Sequence, residues 1–203
     1  MNRVTTLDRS RPRRGRPGYN RESLLQVAVQ VFNERGYDGT SMDDLSKKLG
    51  ISKAAIYHHV SSKDELLELG VNRALDGLFA AAAEATAAGV PAIDRLEQLI
   101  RASVAVLVER LPYVTLLLRV RGNTEVEQRA LDRRRQFDRL VAGLVAEAKA
   151  DGDIRPDVDP AVASRLLFGM VNSVVEWYRP NEATSAADLA EAIRTMAFDG
   201  FRP

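Results

Sequence analysis

The sequence predicts an all-α protein of about nine helices. Apolar residues recur at intervals of three and four in one segment after another, which is the period of a helix that buries one face. Short breaks that contain Gly, Pro, Ser or Thr separate these segments, and such residues favour turns and helix caps. No stretch alternates apolar and polar residues over a useful length, so we expect no β-sheet.

Length and composition indicate a globular cytoplasmic protein. The chain has 203 residues, of which 45% are hydrophobic, enough for one or two compact domains. It contains no cysteine, which excludes a disulfide framework and a thiolate metal site and suits a reducing compartment. The first twenty residues are polar and rich in arginine, so we expect no signal peptide. The most apolar later run, 161–175, is too short to span a bilayer, so we expect no membrane contact.

Charge is distributed unevenly along the chain, although the formal net charge is only +1. Residues 1–63 carry twelve Lys and Arg against six Asp and Glu, which gives +6. The remaining residues carry seventeen against twenty-two, which gives −5. A basic N-terminal third attached to an acidic remainder is typical of a nucleic-acid-binding protein with a separate second domain.

The N-terminal segment, 1–20, has too few apolar residues to fold by itself. Its RPRRGRPG stretch is stiffened by two prolines and interrupted by two glycines. It is either a solvated tail or a flexible basic arm whose arginines bind phosphates or the minor groove. We favour the arm, which becomes ordered on binding DNA through Arg13, Arg14 and Arg16.

Helix 1 is predicted from about Arg21 to Arg35, and Gly36 ends it. Two short helices joined by a tight turn follow within residues 40–59. Ser41 and Asp44 form a capping box for the first of them, and Gly50 stands where a helix usually ends in the left-handed conformation. Ser52 caps the second of the two helices. This geometry is that of a helix-turn-helix motif, whose second helix enters the major groove.

An ordinary helical hairpin is the alternative for this segment, but its neighbourhood favours DNA binding. Residues 21–69 resemble the DNA-binding domain of the TetR family of transcriptional repressors. The residues that carry the resemblance are Ala28, Phe32, Gly36, Tyr37, Thr40, Ser41, Leu45, Gly50, Ser52, Ile56, Tyr57, His58, Lys63, Leu66 and Leu67.

The resemblance implies specific roles in DNA binding. Phosphate contacts are implied for Thr40, Ser41, Tyr57, His58 and Lys63. Base edges would be faced by residues at the start of the second short helix, where a lysine can donate to guanine and alanine methyls can touch thymine methyls. These residues are Lys53, Ala54 and Ala55, and Ser52 at the cap of this helix is also expected to bind DNA.

Helices 4 to 7 follow from capping and turn signals. Ser62 and Glu65 form a second capping box and open a long helix that links the DNA-binding domain to the remainder. Gly89 and Pro91 end that helix and start the next. Thr124 and Glu127 cap helix 7. Helix 4 is predicted over about 63–87 and helix 5 over about 91–109. Helix 6 is predicted from Pro112 to the break at 122–123, and helix 7 from its cap at Thr124 to about 150.

Helices 8 and 9 are predicted to form a homodimer. Asp159 caps helix 8, which is apolar on nearly all sides and must therefore be buried on more than one side. Thr184 or Ser185, with Asp188, opens helix 9. We expect pairing through 159–178 and 185–200. The predicted division of the chain is a basic arm (1–20), a helix-turn-helix domain (21–67) and an effector-binding and dimerisation domain (68–203).

Helices 4 to 8 hold more bulky apolar residues than a thin bundle needs, which predicts a pocket for a small-molecule effector. Asn172, inside an apolar run of helix 8, needs a polar partner. That partner is either a ligand, or the symmetry mate of Asn172 or a backbone carbonyl. The predicted pocket residues are Phe79, Leu107, Leu117, Phe137, Phe168, Asn172 and Glu176.

The segment VVEWYRP resembles the end of helix 8 in the TetR branch that regulates fatty-acid and sterol breakdown. The resemblance implies an acyl-CoA or a fatty acid as effector. Relatives that bind CoA often carry basic residues on this face, and Glu176 departs from that pattern. Arg119 and Arg121 are either anion partners or a solvated pair. The run 133–135 is more simply a solvated face paired with Asp132 and Asp138 than an anion site.

The sequence shows no enzyme motif, and we expect no cofactor and no metal site. His58 and His59 are adjacent and point about a hundred degrees apart on a helix, so they cannot together chelate one ion. We therefore predict a homodimeric, ligand-responsive repressor of a double-stranded DNA operator. The alternatives are a DNA-binding regulator without a small ligand, and a helical ligand-binding or catalytic protein whose basic arm aids solubility.

Overall fold

The computed structural model describes residues 20–87, 89–179 and 184–200, and the all-α prediction is confirmed. These residues form nine α-helices and a final π-helical turn, without a strand among them. The helices are α1 (Arg21–Arg35), α2 (Met42–Leu49), α3 (Lys53–Tyr57), α4 (Lys63–Ala87), α5 (Ala92–Glu109), α6 (Leu111–Arg119), α7 (Glu125–Ala150), α8 (Pro160–Trp177) and α9 (Ala186–Arg194), followed by the turn Thr195–Asp199.

Local capping fixes the starts of most helices. The capping boxes predicted at Ser41 and Thr124 are confirmed, and of the two residues predicted to open helix 9, Ser185 forms the box with Asp188. In each box the hydroxyl accepts the backbone N–H three residues later, and the acidic side chain there accepts the N–H of the cap residue. A further box at Asn20 opens α1. Asp159 caps α8 as predicted, by accepting the N–H of Val162 at 2.9 Å.

The cap of α4 differs from the prediction in one bond. Ser62 accepts the N–H of Glu65 at 3.0 Å, as expected. The Glu65 carboxylate, however, accepts the N–H of Ser61 at 2.6 Å rather than that of Ser62. It also binds the guanidinium of Arg21, which lies on that side, so the carboxylate reaches back toward α1. The start of α4 is thereby tied to the start of α1.

We call residues 20–67 the head and the described residues from 68 to 200 the body. The head has its own apolar core, in which Phe32, Leu45 and Ile56 are completely or almost completely buried. Tyr37 packs edge-on against Phe32 with ring centroids 5.2 Å apart. Gly50 adopts the left-handed conformation predicted for the turn between α2 and α3, with φ of 66°.

Helix α4 belongs to both parts and is closely packed against its neighbours. A Cβ atom at Gly70 would lie 2.9 Å from Leu116 of α6 and 3.1 Å from Val29 of α1. A side chain at this position would therefore require the side chains of Leu116 and Val29 to shift. Helices α4 and α6 are therefore in close contact at Gly70, so a movement of α6 relative to α4 would change this contact.

The arginine run in α7 is only partly the solvated face that the sequence predicted. Arg135 pairs with Asp132, as expected. Arg133 instead reaches α4, where it donates to Asn72 at 2.6 Å and to Asp76 at 2.7 Å. Asp138 forms no ion pair with any part of the chain that the structure describes. The prediction treated the run as one helix surface, whereas α4 packs against α7 and supplies closer acceptors.

Within the described ranges, none of the helices combines the length and the apolar character needed to cross a membrane.

Candidate functional site

Helix α3 turns one side chain into the head and exposes the others. Ile56 is completely buried and anchors the helix. Ser52 caps it by accepting the N–H of Ala55 at 3.2 Å. Lys53, Ala54 and His58 are exposed, and Ala55 is half-buried. Tyr57 is 50% exposed, which is unusual for so large an aromatic side chain.

The ammonium group of Lys53 lies 2.7 Å from the carboxylate of Asp43 at the start of α2. Both side chains are about half exposed, and the hydrogen bond to Asp43 raises the pKa of Lys53. Exposed ion pairs of this kind contribute little to stability because water and salt screen them. Lys53 can therefore exchange Asp43 for another acceptor at little cost.

Ser41 and Thr40, both predicted to contact phosphate, lie in different environments. Ser41 is exposed, with its hydroxyl engaged in the cap of α2. Thr40 is only 2% exposed. Its hydroxyl donates to the carbonyl of Gly36 at 2.7 Å and its N–H donates to the carbonyl of Tyr37 at 3.1 Å. Both donors of Thr40 are occupied because the tight turn after α1 needs them, so this residue offers none to a phosphate.

Lys63, another predicted phosphate ligand, holds the same turn in place. Its ammonium group donates to the carbonyls of Tyr37 at 3.0 Å and Thr40 at 2.9 Å. It also lies 4.1 Å from the centre of the Tyr37 ring. The Tyr37 hydroxyl donates to Asp64. Burial of the Tyr37 side chain raises its pKa, and the Asp64 carboxylate raises it further. Sequence reasoning missed this role, because the partners of Lys63 are 23 and 26 residues away.

The predicted DNA-binding residues Arg13, Arg14 and Arg16 lie outside the described residues.

Helix α8 exposes an apolar stripe. Val162 is 51% exposed, Leu166 65% and Trp177 52%. Gly169 and Ser173 continue the same line along the helix, and a Cβ atom at Gly169 would meet nothing within 4 Å. The packing of a single chain therefore explains neither the apolar residues nor the small ones between them.

Three predicted pocket residues form an aromatic chain across the body. The rings of Phe79 and Phe137 lie edge to face at 5.7 Å, and those of Phe137 and Phe168 at 5.0 Å. A cavity of about 40 Å³ lies beside them, room for little more than one water molecule. Its lining includes Leu75 and Leu78 of α4, Leu117 of α6, Phe137 of α7, and Phe168 and Asn172 of α8.

The other predicted pocket residues do not line this cavity. Glu176 is exposed, and Leu107 is buried in the core elsewhere. Each step of four residues turns 40° around a helix, so Glu176 is rotated about 80° from Phe168 and reaches solvent. Asn172 is half-buried at the cavity rather than enclosed, and its side chain makes no hydrogen bond to the described residues. Of the three pocket residues predicted on α8, Phe168 and Asn172 therefore line this cavity and Glu176 does not.

Sequence reasoning missed a larger apolar cavity of about 590 Å³ at the far end of the bundle. It lies between α5, the α7–α8 turn, α8 and the final π-helical turn. No periodicity in the sequence indicates it, because its walls come from segments that are distant in the chain. Its apolar lining includes Leu96, Ile154, Leu167, Met170 and Phe198.

Among the residues that the structure describes, no group of three or more His, Asp or Glu side chains is arranged to hold a metal ion.

Two sequence families together match the described chain except for residues 20–23 and 70–87. The family described as "Bacterial regulatory proteins, tetR family" matches residues 24–69, which contain α2, α3 and most of α1. The family described as "Tetracyclin repressor-like, C-terminal domain" matches residues 89–201, more than half of the chain.

Individual relatives agree with this. The chain is 55% identical to SCO3833, a TetR-family member from Streptomyces coelicolor A3, whose structure superimposes with a TM-score of 0.84 over 89% of this chain and 91% of that one. It is 27% identical over 190 residues to the transcriptional repressor KstR2 of Rhodococcus jostii, covering 89% of this chain and 90% of KstR2. AibR, solved with isovaleryl coenzyme A and operator DNA, is 25% identical with a TM-score of 0.75, covering 89% and 99%. The chain therefore belongs to the TetR family of DNA-binding transcriptional regulators.

Proposed function

We propose that the chain is a homodimeric repressor that binds a palindromic operator through α3 and leaves it when a small, largely apolar ligand binds the body. The observation that carries the proposal is the outer face of α3. Lys53, Ala54, Tyr57 and His58 are exposed there on a helix that Ile56 and Ser52 hold rigidly. Apart from the exposed ion pair between Lys53 and Asp43, these side chains contribute little to the packing of the head, and their chemistry suits a DNA groove.

Within this proposal the residues around α3 divide into two groups. Lys53, Ala54 and Ala55, with Ser52 at the cap, face base edges. Ser41, Tyr57 and His58 contact phosphates, as do Arg13, Arg14 and Arg16 of the arm. Thr40 and Lys63 act indirectly by fixing the turn between α1 and α2, because most of their donors are already used.

Dimerisation is proposed through α8 and α9. The exposed stripe of Val162, Leu166 and Trp177 supplies apolar surface for a second copy, and Gly169 lets two helices approach closely. A two-fold dimer places its two α3 helices so that they read half-sites about one helical turn or a multiple of it apart.

For the effector we propose an acyl-CoA or a fatty acid whose apolar part enters beside Phe168. The cavity there is far too small for such a group. A ligand must therefore enlarge it, and Leu75 and Leu78 of α4 form one wall. Displacing α4 moves the head and changes the spacing of the two recognition helices. The AibR structure with isovaleryl coenzyme A supports this class of ligand.

The free-energy preference that the effector must have for the non-binding conformation is modest. A ligand that prefers the non-binding spacing by about 3 kcal/mol lowers operator affinity more than a hundredfold. The small size of the cavity favours a second candidate function, a DNA-binding regulator that has no small ligand. Release of the protein from DNA by a ligand separates the two.

The experiment is a footprint on the DNA that flanks the protein's own gene, followed by a release screen with acyl-CoAs, free fatty acids and cationic drugs. A protected palindrome is expected, and protection that is equal on random DNA contradicts the proposal. The Phe168→Ala and Asn172→Leu variants should change the potency of the active compound. Met170→Ala, in the 590 Å³ cavity, is the matched control. A change confined to Met170→Ala would place the effector in that cavity instead.

A further inference from the structure

A second large cavity lies outside the bundle, where the head meets the body. It occupies about 630 Å³ between the α1–α2 turn of the head and the α6–α7 turn of the body. Its apolar floor comes from both parts and includes Phe32, Leu67, Leu116 and Val120. The volume is within the range of about 300–1,000 Å³ typical of pockets for small ligands. We call this cavity the junction cleft.

Three arginines line the junction cleft, namely Arg35, Arg119 and Arg121. Arg119 donates to the backbone carbonyl of Asn33 and thereby links α6 to α1. Arg35 lies 3.7 Å from Asp44, a long distance for an ion pair. Arg121 is exposed, and its guanidinium has neither a hydrogen bond nor an ion pair to the residues that the structure describes. At least one cationic group in the cleft therefore has its full hydrogen-bonding capacity available.

The two carboxylates of the cleft are engaged by neutral donors. Glu127 is buried and accepts the N–H groups of Asn123 at 2.6 Å, Thr124 at 3.1 Å and Arg121 at 3.4 Å. Asp38 accepts the side-chain amide of Asn123 at 3.2 Å. Neither carboxylate pairs with an arginine of the cleft. Glu127 instead fixes the backbone of the turn that carries Arg121, which places this residue at the rim of the cleft.

We propose that the junction cleft binds a small amphiphile with a compact anionic group, a phosphate or a carboxylate. The apolar part lies on the floor formed by Phe32 and Leu116, and the anion binds Arg121 together with Arg119. The planar fork of a guanidinium matches both phosphate and carboxylate oxygens and makes strong, charge-assisted hydrogen bonds to them. This site is separate from the effector cavity beside Phe168 and does not depend on DNA binding.

An amphiphile in this position touches the head and the body at once. The two parts are already linked in the cleft by the bond between Asn123 and Asp38, and outside it by the amide of Asn33, which donates to the carbonyl of Pro112 at 2.8 Å. A bound ligand adds to these links, so it should slow local opening on both sides of the cleft.

The test is titration calorimetry of the full chain with hexyl phosphate, hexanoate and hexanol. Binding of hexyl phosphate or hexanoate, but not of hexanol, is expected, and the stronger of the two identifies the anion. Arg121→Gln should raise the Kd of that probe about tenfold or more. The Arg139→Gln control, an exposed arginine of α7 outside the cleft, should leave it unchanged. Equal affinity in the Arg121→Gln variant, or no binding of either anion at millimolar concentration, overturns the proposal.

Two further measurements locate the bound probe. Phe168→Ala should leave the Kd of the probe unchanged. Loss of binding in that variant would show that the probe binds inside the bundle and would overturn the proposal of a site in the junction cleft. Amide hydrogen exchange should slow in both turns, 36–40 and 120–124, when the probe is present. Slowing on one side only contradicts a ligand that bridges the head and the body.

Discussion

The outer face of α3 and the apolar stripe of α8 are both exposed to solvent, yet they differ in chemistry. The α3 face combines Lys53, Tyr57 and His58, which supply donors and an aromatic edge. The α8 stripe is apolar at Val162, Leu166 and Trp177, with Gly169 between them. Donors suit a polyanion, whereas an apolar stripe with a central small residue suits a second helix. The two faces therefore indicate two different partners.

The faces also differ in size, and this makes one depend on the other. Helix α3 has only 5 residues, whereas α8 has 18. So short a recognition helix makes few contacts, and a single copy is expected to bind DNA weakly. Joining two copies through α8 lets the second half-site bind at high effective concentration, which raises overall affinity without a new DNA contact. A substitution that disrupts pairing through α8 should accordingly lower operator affinity more than a substitution of any single residue of α3.

The largest effect is expected from Leu166→Arg in the α8 stripe. An unpaired guanidinium from each copy would be buried in the interface, which costs roughly 3 kcal/mol or more and raises the dimer Kd at least about a hundredfold. Sedimentation equilibrium measures the dimer, and operator binding should fall with it. Ala161→Arg adds the same group to an exposed position off the stripe and serves as the control. A Leu166→Arg protein that remains dimeric would rule out the stripe as the interface.

A smaller effect is expected from α3 itself. Tyr57→Ala should weaken binding to operator and random DNA alike, because we propose that this side chain contacts a phosphate, which carries no sequence information. Lys53→Ala should also reduce the preference for operator over random DNA, by about tenfold for one base contact. Asp43→Ala removes the ion-pair partner of Lys53 and is the control, in which that preference should be kept. Equal losses on both DNAs for Lys53→Ala would contradict base readout by this lysine.

Deletion of residues 1–17 should leave the fold intact but flatten the salt dependence of DNA binding. Each phosphate contact that is lost reduces the slope of log K against log salt by about 0.9. Affinity measured at several salt concentrations gives this slope for both proteins. The same slope in the truncated protein would show that the arm takes no part in binding.

The smallest effect concerns the junction of α1 and α4 in acid. The hydrogen bond from Arg73 holds the pKa of Glu22 below its ordinary value of 4.5, so ionised Glu22 stabilises the folded state. This stabilisation is present above that value and is lost as pH falls below it. The melting temperature of the native chain should therefore exceed that of Glu22→Gln at pH 7, and the difference should shrink only as pH falls below about 4.5. A difference that does not change with pH would contradict the role of this charge.

The sequence predicted the parts of the structure that local interactions determine. Capping residues such as Ser41 and Thr124, and the left-handed Gly50, fix helix ends within a few residues, and those predictions are confirmed. The position of Lys63 against the α1–α2 turn was not predictable in this way, since it depends on residues far away in the chain. The same holds for the volumes of the three cavities, whereas the solvent exposure of Glu176 follows from its rotation around α8 away from Phe168.

The central claim is that two copies joined through α8 read one operator through two α3 helices. The most direct measurement is the mass of the complex formed on the footprinted operator, compared with the complex on a single half-site. Two chains are expected on the full site, with half-site centres separated by about 10 base pairs or a multiple of that. Affinity for the half-site should be far lower. One chain per operator, bound as tightly to the half-site as to the full site, would contradict the account.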